Sequence, residues 1–117
     1  MSDAELDRLA ERAAEFGAAG HGMAEIYDAH HAFHLALLAP AATTWDIRVL
    51  TRLWRAGERY IRIGFGQLDP DPAEHQRRGE AHGELVAAFR TRDPATVSTA
   101  VERHLARNET IALAALS

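Results

Sequence analysis

Two Asp-Pro pairs, Asp71-Pro72 and Asp93-Pro94, set the frame of this chain. Each joins a capping side chain to a residue that opens a helix but cannot sit inside one. Glu74, three residues after Asp71, strengthens the first of them. Similar punctuation recurs upstream. Ser2 followed by Glu5 has the form of a capping box for a helix carrying Leu6, Leu9, Ala13 and Phe16, closed by Gly17 and Gly20. Pro40 stops a second helix that begins near Gly22 and runs to Ala39, with His21 in the turn before it. Thr44 is placed to cap a third helix, which extends to about Ile63 before the loop G-F-G-Q-L-D-P-D-P at 64–72. β-Branched residues alternate with polar ones nowhere for long, and alanine is abundant. The expected fold is therefore all-α, an antiparallel bundle of about five helices forming one domain over residues 1–117.

Composition narrows what such a bundle can do. The chain has no cysteine, so any metal must be held by nitrogen and oxygen ligands. A formal charge of -4 argues against a nucleic-acid surface, which leans on a basic patch. Five arginines, at 48, 52, 55, 59 and 62, do recur at helical spacing on the third helix. They flank its apolar stripe of Leu50, Leu53, Trp54, Gly57, Tyr60, Ile61 and Gly64, and read as a solvated face. There is no apolar run of about eighteen residues, and the N-terminus M-S-D-A-E-L is acidic, so a cytoplasmic protein is expected.

Seven histidines are present, and their positions matter more than their number. Met23, Ile26, Tyr27, His30, Phe33, His34, Leu37 and Leu38 keep the three-and-four rhythm of an inward helix face. His30 and His34 thus stand one turn apart on that face, a spacing at which two imidazoles can share one ion. The fourth helix turns His75, Gly79, His82, Leu85, Val86 and Phe89 inward. The fifth does so with Val97, Ala100, Val101, His104, Asn108, Ile111 and Ala115. His30, His34, His82 and His104 therefore project from three helices into one core, as metal sites in bundles do. His75 lies about 10 Å along the helix from His82, too far to share an ion, and His31 reaches the site only on a rotated helix. Any one of the four also reads as a hydrogen-bonded core residue. Burying several imidazoles without partners costs about 1–3 kcal/mol each, and a shared ion is the alternative that satisfies them together.

These residues carry a resemblance. H-x-x-F-H at His30 to His34 resembles the D-x-x-F-H of the FadR C-terminal (FCD) effector-binding domain of GntR-type transcriptional regulators. The segment from His82 to Leu105, H-G-E-L-V-A-A-F-R-T-R-D-P-A-T-V-S-T-A-V-E-R-H-L, is similar to that family's H-x-x-I-x-x-A-(x)4-D followed by A and H-L. The resemblance implies a helical bundle that binds a small organic acid, often through a divalent metal held by one Asp and three His. Carried over, the histidines are His34, His82 and His104, and His30 stands where the family has Asp. Imidazole in place of carboxylate raises the charge of the site by one unit and favours nitrogen-preferring ions, with zinc expected first and nickel or copper next. The same departure equally allows that His30 is no ligand and that the ion is lost or held by three residues.

Further expectations follow from the same resemblance. Family members carry a winged-helix DNA-binding domain and a first effector-domain helix, and this chain is expected to lack both, as a fragment or as a short sensing bundle. An uncovered apolar surface would favour a homodimer. Arg59 and Tyr60 resemble an Arg-Tyr pair of some relatives and are candidates for ligand binding. Asn108, one turn beyond His104, is a third. Two other readings stay open: a metal-dependent hydrolase and a metal-free interaction or dimerisation module. Against the hydrolase, H-E-x-x-H is absent and no inward acid stands one turn from a ligand.

Overall fold

The computed structural model describes residues 1–15, 23–66 and 72–116. Over these the chain is helical: α1 (Asp3–Glu15), α2 (Met23–Leu38), α3 (Thr44–Gly66), α4 (Pro72–Arg90) and α5 (Pro94–Leu116). No strand occurs among the described residues. Phe16, Gly17, Gly20, His21, Gly22 and Asp71 lie outside them, as do the side chains of Met23, Ile26, Ile61 and Ala115.

The caps set where the helices begin. At α1, Glu5 N–H donates to Ser2 Oγ at 3.2 Å and Ser2 N–H donates to Glu5 Oε2 at 2.7 Å, a reciprocal capping box. At α5, Thr96 N–H donates to Asp93 Oδ2 at 3.3 Å, with Pro94 in the first turn. At α3 the cap is Thr43 rather than Thr44. Asp46 N–H donates to Thr43 Oγ1 at 3.1 Å and Thr43 N–H to Asp46 Oδ2 at 2.8 Å. Asp46 lies three residues after Thr43, the interval a capping box needs, and so selects between the two threonines. α3 also continues to Gly66, beyond the expected end near Ile63.

α1 packs on α4, α4 on α5, and α3 on α5, while α1 also touches α2. A three-residue connection at 91–93, with Arg92 in the left-handed region (φ 58), turns the chain back from α4 into α5. The core joins Leu6, Leu9 and Ala13 of α1 to Phe33 and Leu37 of α2 and Leu85 and Val86 of α4. Phe33 is completely buried, one residue before His34, so the core sets the rotation of α2 about its axis.

α3 departs from expectation. Its stripe is only partly inward: Trp54 and Gly57 are half-buried, but Leu53 and Tyr60 are 64% and 54% exposed. Trp45 and Ile63 are exposed as well, which leaves an apolar outer face on this helix. The five α3 arginines are all exposed, in line with a solvated row.

Candidate metal centre

α4 supplies the backbone of the site. Glu74, Arg78 and His82 follow one another at intervals of four, so they share a face, and all three are buried. His82 Nδ1–H donates to the carbonyl oxygen of Arg78 at 2.7 Å. A carbonyl only accepts, so this bond fixes the tautomer and makes Nε2 the lone-pair nitrogen of the ring. That nitrogen lies 3.3 Å from His34 Nε2, which α2 brings across.

His104, on α5, completes a triad. Its ring centroid is 4.7 Å from that of His82 and 5.1 Å from that of His34. One ligand nitrogen from each of His34, His82 and His104 can be chosen so that all lie within 4.8 Å of one another. Two nitrogens that share a tetrahedral ion at about 2.0–2.1 Å each are separated by roughly 3.3 Å. The 3.3 Å between His34 and His82 matches that requirement. His104 Nε2 is buried with no hydrogen-bond partner. Coordination would satisfy it, where leaving it unmet costs about 1–3 kcal/mol. The donor set thus fits a divalent ion that prefers nitrogen, and these three residues could hold it.

The electrostatics agree with ligand duty, which requires neutral imidazole. Burial, aided by the neighbouring imidazoles, pushes His34 down to about 3. Burial, aided by His104 and by the Arg107 and Arg78 guanidinium groups, pushes His82 down to about 4, against the opposing pull of its bond to Arg78. His104 falls to about 4 through burial and Arg107.

His30 is brought to the edge of this group but not into it. Its ring stacks on His82 at 4.5 Å between centroids and 22° between planes, and its nitrogens are not among the clustered donors. An imidazole lone pair lies in the ring plane. Two nearly parallel rings therefore aim their lone pairs alongside each other and not at one point. Of the four expected histidines, His34, His82 and His104 bring their donors together, and His30 lies against their flank. His31 faces away and stacks on Trp54 at 5.2 Å and 13°.

A cavity of about 120 Å³ opens beside the triad, with Tyr27, Trp54, Arg78, Arg107 and Asn108 in its walls. Arg62, on α3, covers Tyr27 from outside, its guanidinium carbon 5.2 Å from the ring centroid. Asn108 lies on the cavity wall, but neither Arg59 nor Tyr60 lines it, and both are exposed. Two cations do line the cavity, Arg107 and Arg78, and the buried one is Arg78, which the sequence reading passed over. Its signal was the register E-x-x-x-R-x-x-x-H from Glu74 to His82, which puts a charge pair on the face that carries a ligand. Glu74 is held between two guanidinium groups, with Arg77 at 2.8 Å and Arg78 at 3.8 Å.

The protein family described as FCD domain matches residues 1–107, a span that contains the whole triad. No curated protein and no solved structure matches the chain.

Proposed function

The chain belongs to the FCD domain family, the effector-binding domain of GntR-type regulators, and from that premise we propose that it senses a small organic acid at a divalent metal held by His34, His82 and His104. The donors of His34, His82 and His104, within 4.8 Å of one another, with a buried, unpartnered Nε2 on the His104 ring, carry this reading. Zinc is the ion proposed, because three neutral imidazoles suit it and no thiolate is present. Bound there, it supplies a cationic anchor with coordination positions left for a carboxylate. The protein's own groups favour the same partner. Neutral ligands leave the ion's charge uncompensated, Arg78 and Arg107 add positive charge at the cavity, and Glu74 is already engaged by arginines.

Arg78 holds the acid by a charge-assisted contact and Asn108 orients it. Replacing Arg78→Gln in the zinc-loaded protein is expected to weaken acetate, lactate and succinate about 10-fold to 100-fold, the range for a hydrogen bond to a charged group, with zinc affinity nearly unchanged. Calorimetric titration reads both quantities. Equal affinities in the two proteins would remove Arg78 from the site.

FCD is a ligand-sensing domain rather than a catalytic one. Glu74, the acid in the cavity wall, is not free to act on a bound molecule, because the guanidinium groups of Arg77 and Arg78 lie against its carboxylate. In a regulator, the effector acts on DNA binding only through its differential affinity for two arrangements of the helices it bridges.

The outer face of α3 is proposed as a homodimer contact. Trp45 and Leu53 are 70% and 64% exposed there, and an apolar patch of this kind marks an interaction surface. Light scattering at micromolar concentration is expected to give a dimer mass, and Leu53→Asp a monomer mass. A monomeric wild type would contradict this. No helix among the described residues is long and apolar enough to cross a membrane.

A further inference from the structure

The cavity beside the triad has a neighbour. A second chamber of about 160 Å³ shares His34, Trp54, His104 and Leu105 with the first, so the two meet along those side chains. Their linings differ in kind. The first chamber carries Arg78, Arg107 and Asn108, with Glu74 paired to arginines, while the second is walled by Leu37, Leu38, Leu50, Leu85, Phe89 and Val101 and has no charged residue. The common wall is aromatic apart from Leu105: Trp54 lies flat on His31 and tilts 41° against His34 at 5.5 Å.

Size and chemistry together define an occupant. An apolar cavity of about 150 Å³ lined by Leu, Ile and Phe stays dry and takes up benzene. The second chamber is of that size and character, and it adjoins a cationic site suited to a carboxylate. A carboxylate cannot enter the apolar chamber without losing its water and finding no partner. A molecule filling both must therefore be charged at one end and apolar at the other.

Resting on the metal and carboxylate reading above, we infer that the effector is an amphipathic monocarboxylate. Its head sits by His34, His82, His104 and Arg78, and its tail, about the size of a phenyl ring or a six-carbon chain, fills the chamber beyond Trp54. The second chamber is then the specificity element. It rewards apolar length and rejects di- and tricarboxylates, whose second charge would be stranded there.

The test is calorimetric titration of the whole chain, zinc-loaded and checked for metal content, with straight-chain acids from acetate to decanoate, phenylacetate and succinate. Affinity is expected to rise roughly fourfold per added methylene until the chamber is full at about six tail carbons, then to level off or fall. Phenylacetate should bind with the tighter acids and succinate with the weaker ones. Val101→Phe, which fills the chamber, is expected to bring hexanoate back to the affinity of acetate while leaving acetate unchanged. Leu50→Phe, at the more exposed edge, serves if Val101→Phe does not fold. Acetate binding with no dependence on tail length would overturn the tail assignment and leave the metal and carboxylate reading standing. No binding of any acid by zinc-loaded protein would overturn both. Hexanoate binding undiminished by zinc removal would overturn the placement of the head.

Discussion

Acidifying the metal-free protein from pH 7 to pH 5.5 is expected to remove about 4 kcal/mol of stability, roughly 1 kcal/mol for each of four buried histidines. His30, His34, His82 and His104 are pushed from 6.5 to about 2, 3, 4 and 4 in the folded chain, chiefly by burial. Their neutral forms are thus favoured by the fold. Above pH 6.5 neither state binds these protons and the stability is intact. Below it the unfolded chain takes up protons that the folded chain refuses, so stability falls with pH; the fall slows near 4, where His82 and His104 titrate in place, and continues below that through His34 and His30. A small domain holds only about 5–15 kcal/mol in all, which puts acid unfolding near pH 5. Helical circular dichroism followed against pH reads the midpoint. Helicity unchanged to pH 4 would mean that these imidazoles are not buried as described. With zinc bound the same transition is expected at lower pH and to coincide with metal release, because proton and metal compete for the same nitrogens.

His82→Ala is expected to lower zinc affinity at least about 100-fold, more than any other single histidine change. Ligand mutations cost at least as much as loss of an outer partner, which is typically worth 10-fold to 100-fold. His82 carries both features: its Nε2 belongs to the donor cluster and its Nδ1–H is anchored on Arg78 at 2.7 Å. His30→Ala separates a ligand from a neighbour. As a ring stacked on His82, it is expected to change zinc affinity less than 10-fold. A zinc titration against a competing chelator measures both variants. Equal losses would return His30 to the ligand set, and no loss in His82→Ala would remove the site.

The sequence carried much of this arrangement, and its failures have physical causes. Ser2 with Glu5 and Asp93 with Pro94 mark their helix starts because capping depends on local spacing alone. Periodicity likewise put His82 and His104 on inward faces, since burial follows the helix turn. Thr43 was missed because two adjacent threonines can each cap, and only the interval to Asp46 distinguishes them. Leu53 and Tyr60 were placed inside because an apolar face reads the same whether it meets its own core or another surface. His30 shows a further limit. Spacing set it beside His34, but whether a ring presents its edge or its face to a neighbour is a matter of side-chain rotamer, which spacing does not encode. Arg78 was overlooked because a charged residue is rarely buried without a partner, and here the partner, Glu74, lies one turn before it.

Metal content tests the central claim most directly. The protein, prepared without a histidine tag, loaded with zinc and freed of excess, is expected to hold about one equivalent per chain by elemental analysis, as one three-histidine site requires. A strong chelator should then lower its melting temperature, with no such drop in His82→Ala. Retention well below one equivalent, with a melting temperature indifferent to both zinc and chelator, would contradict the metal centre and leave a metal-free effector domain in its place.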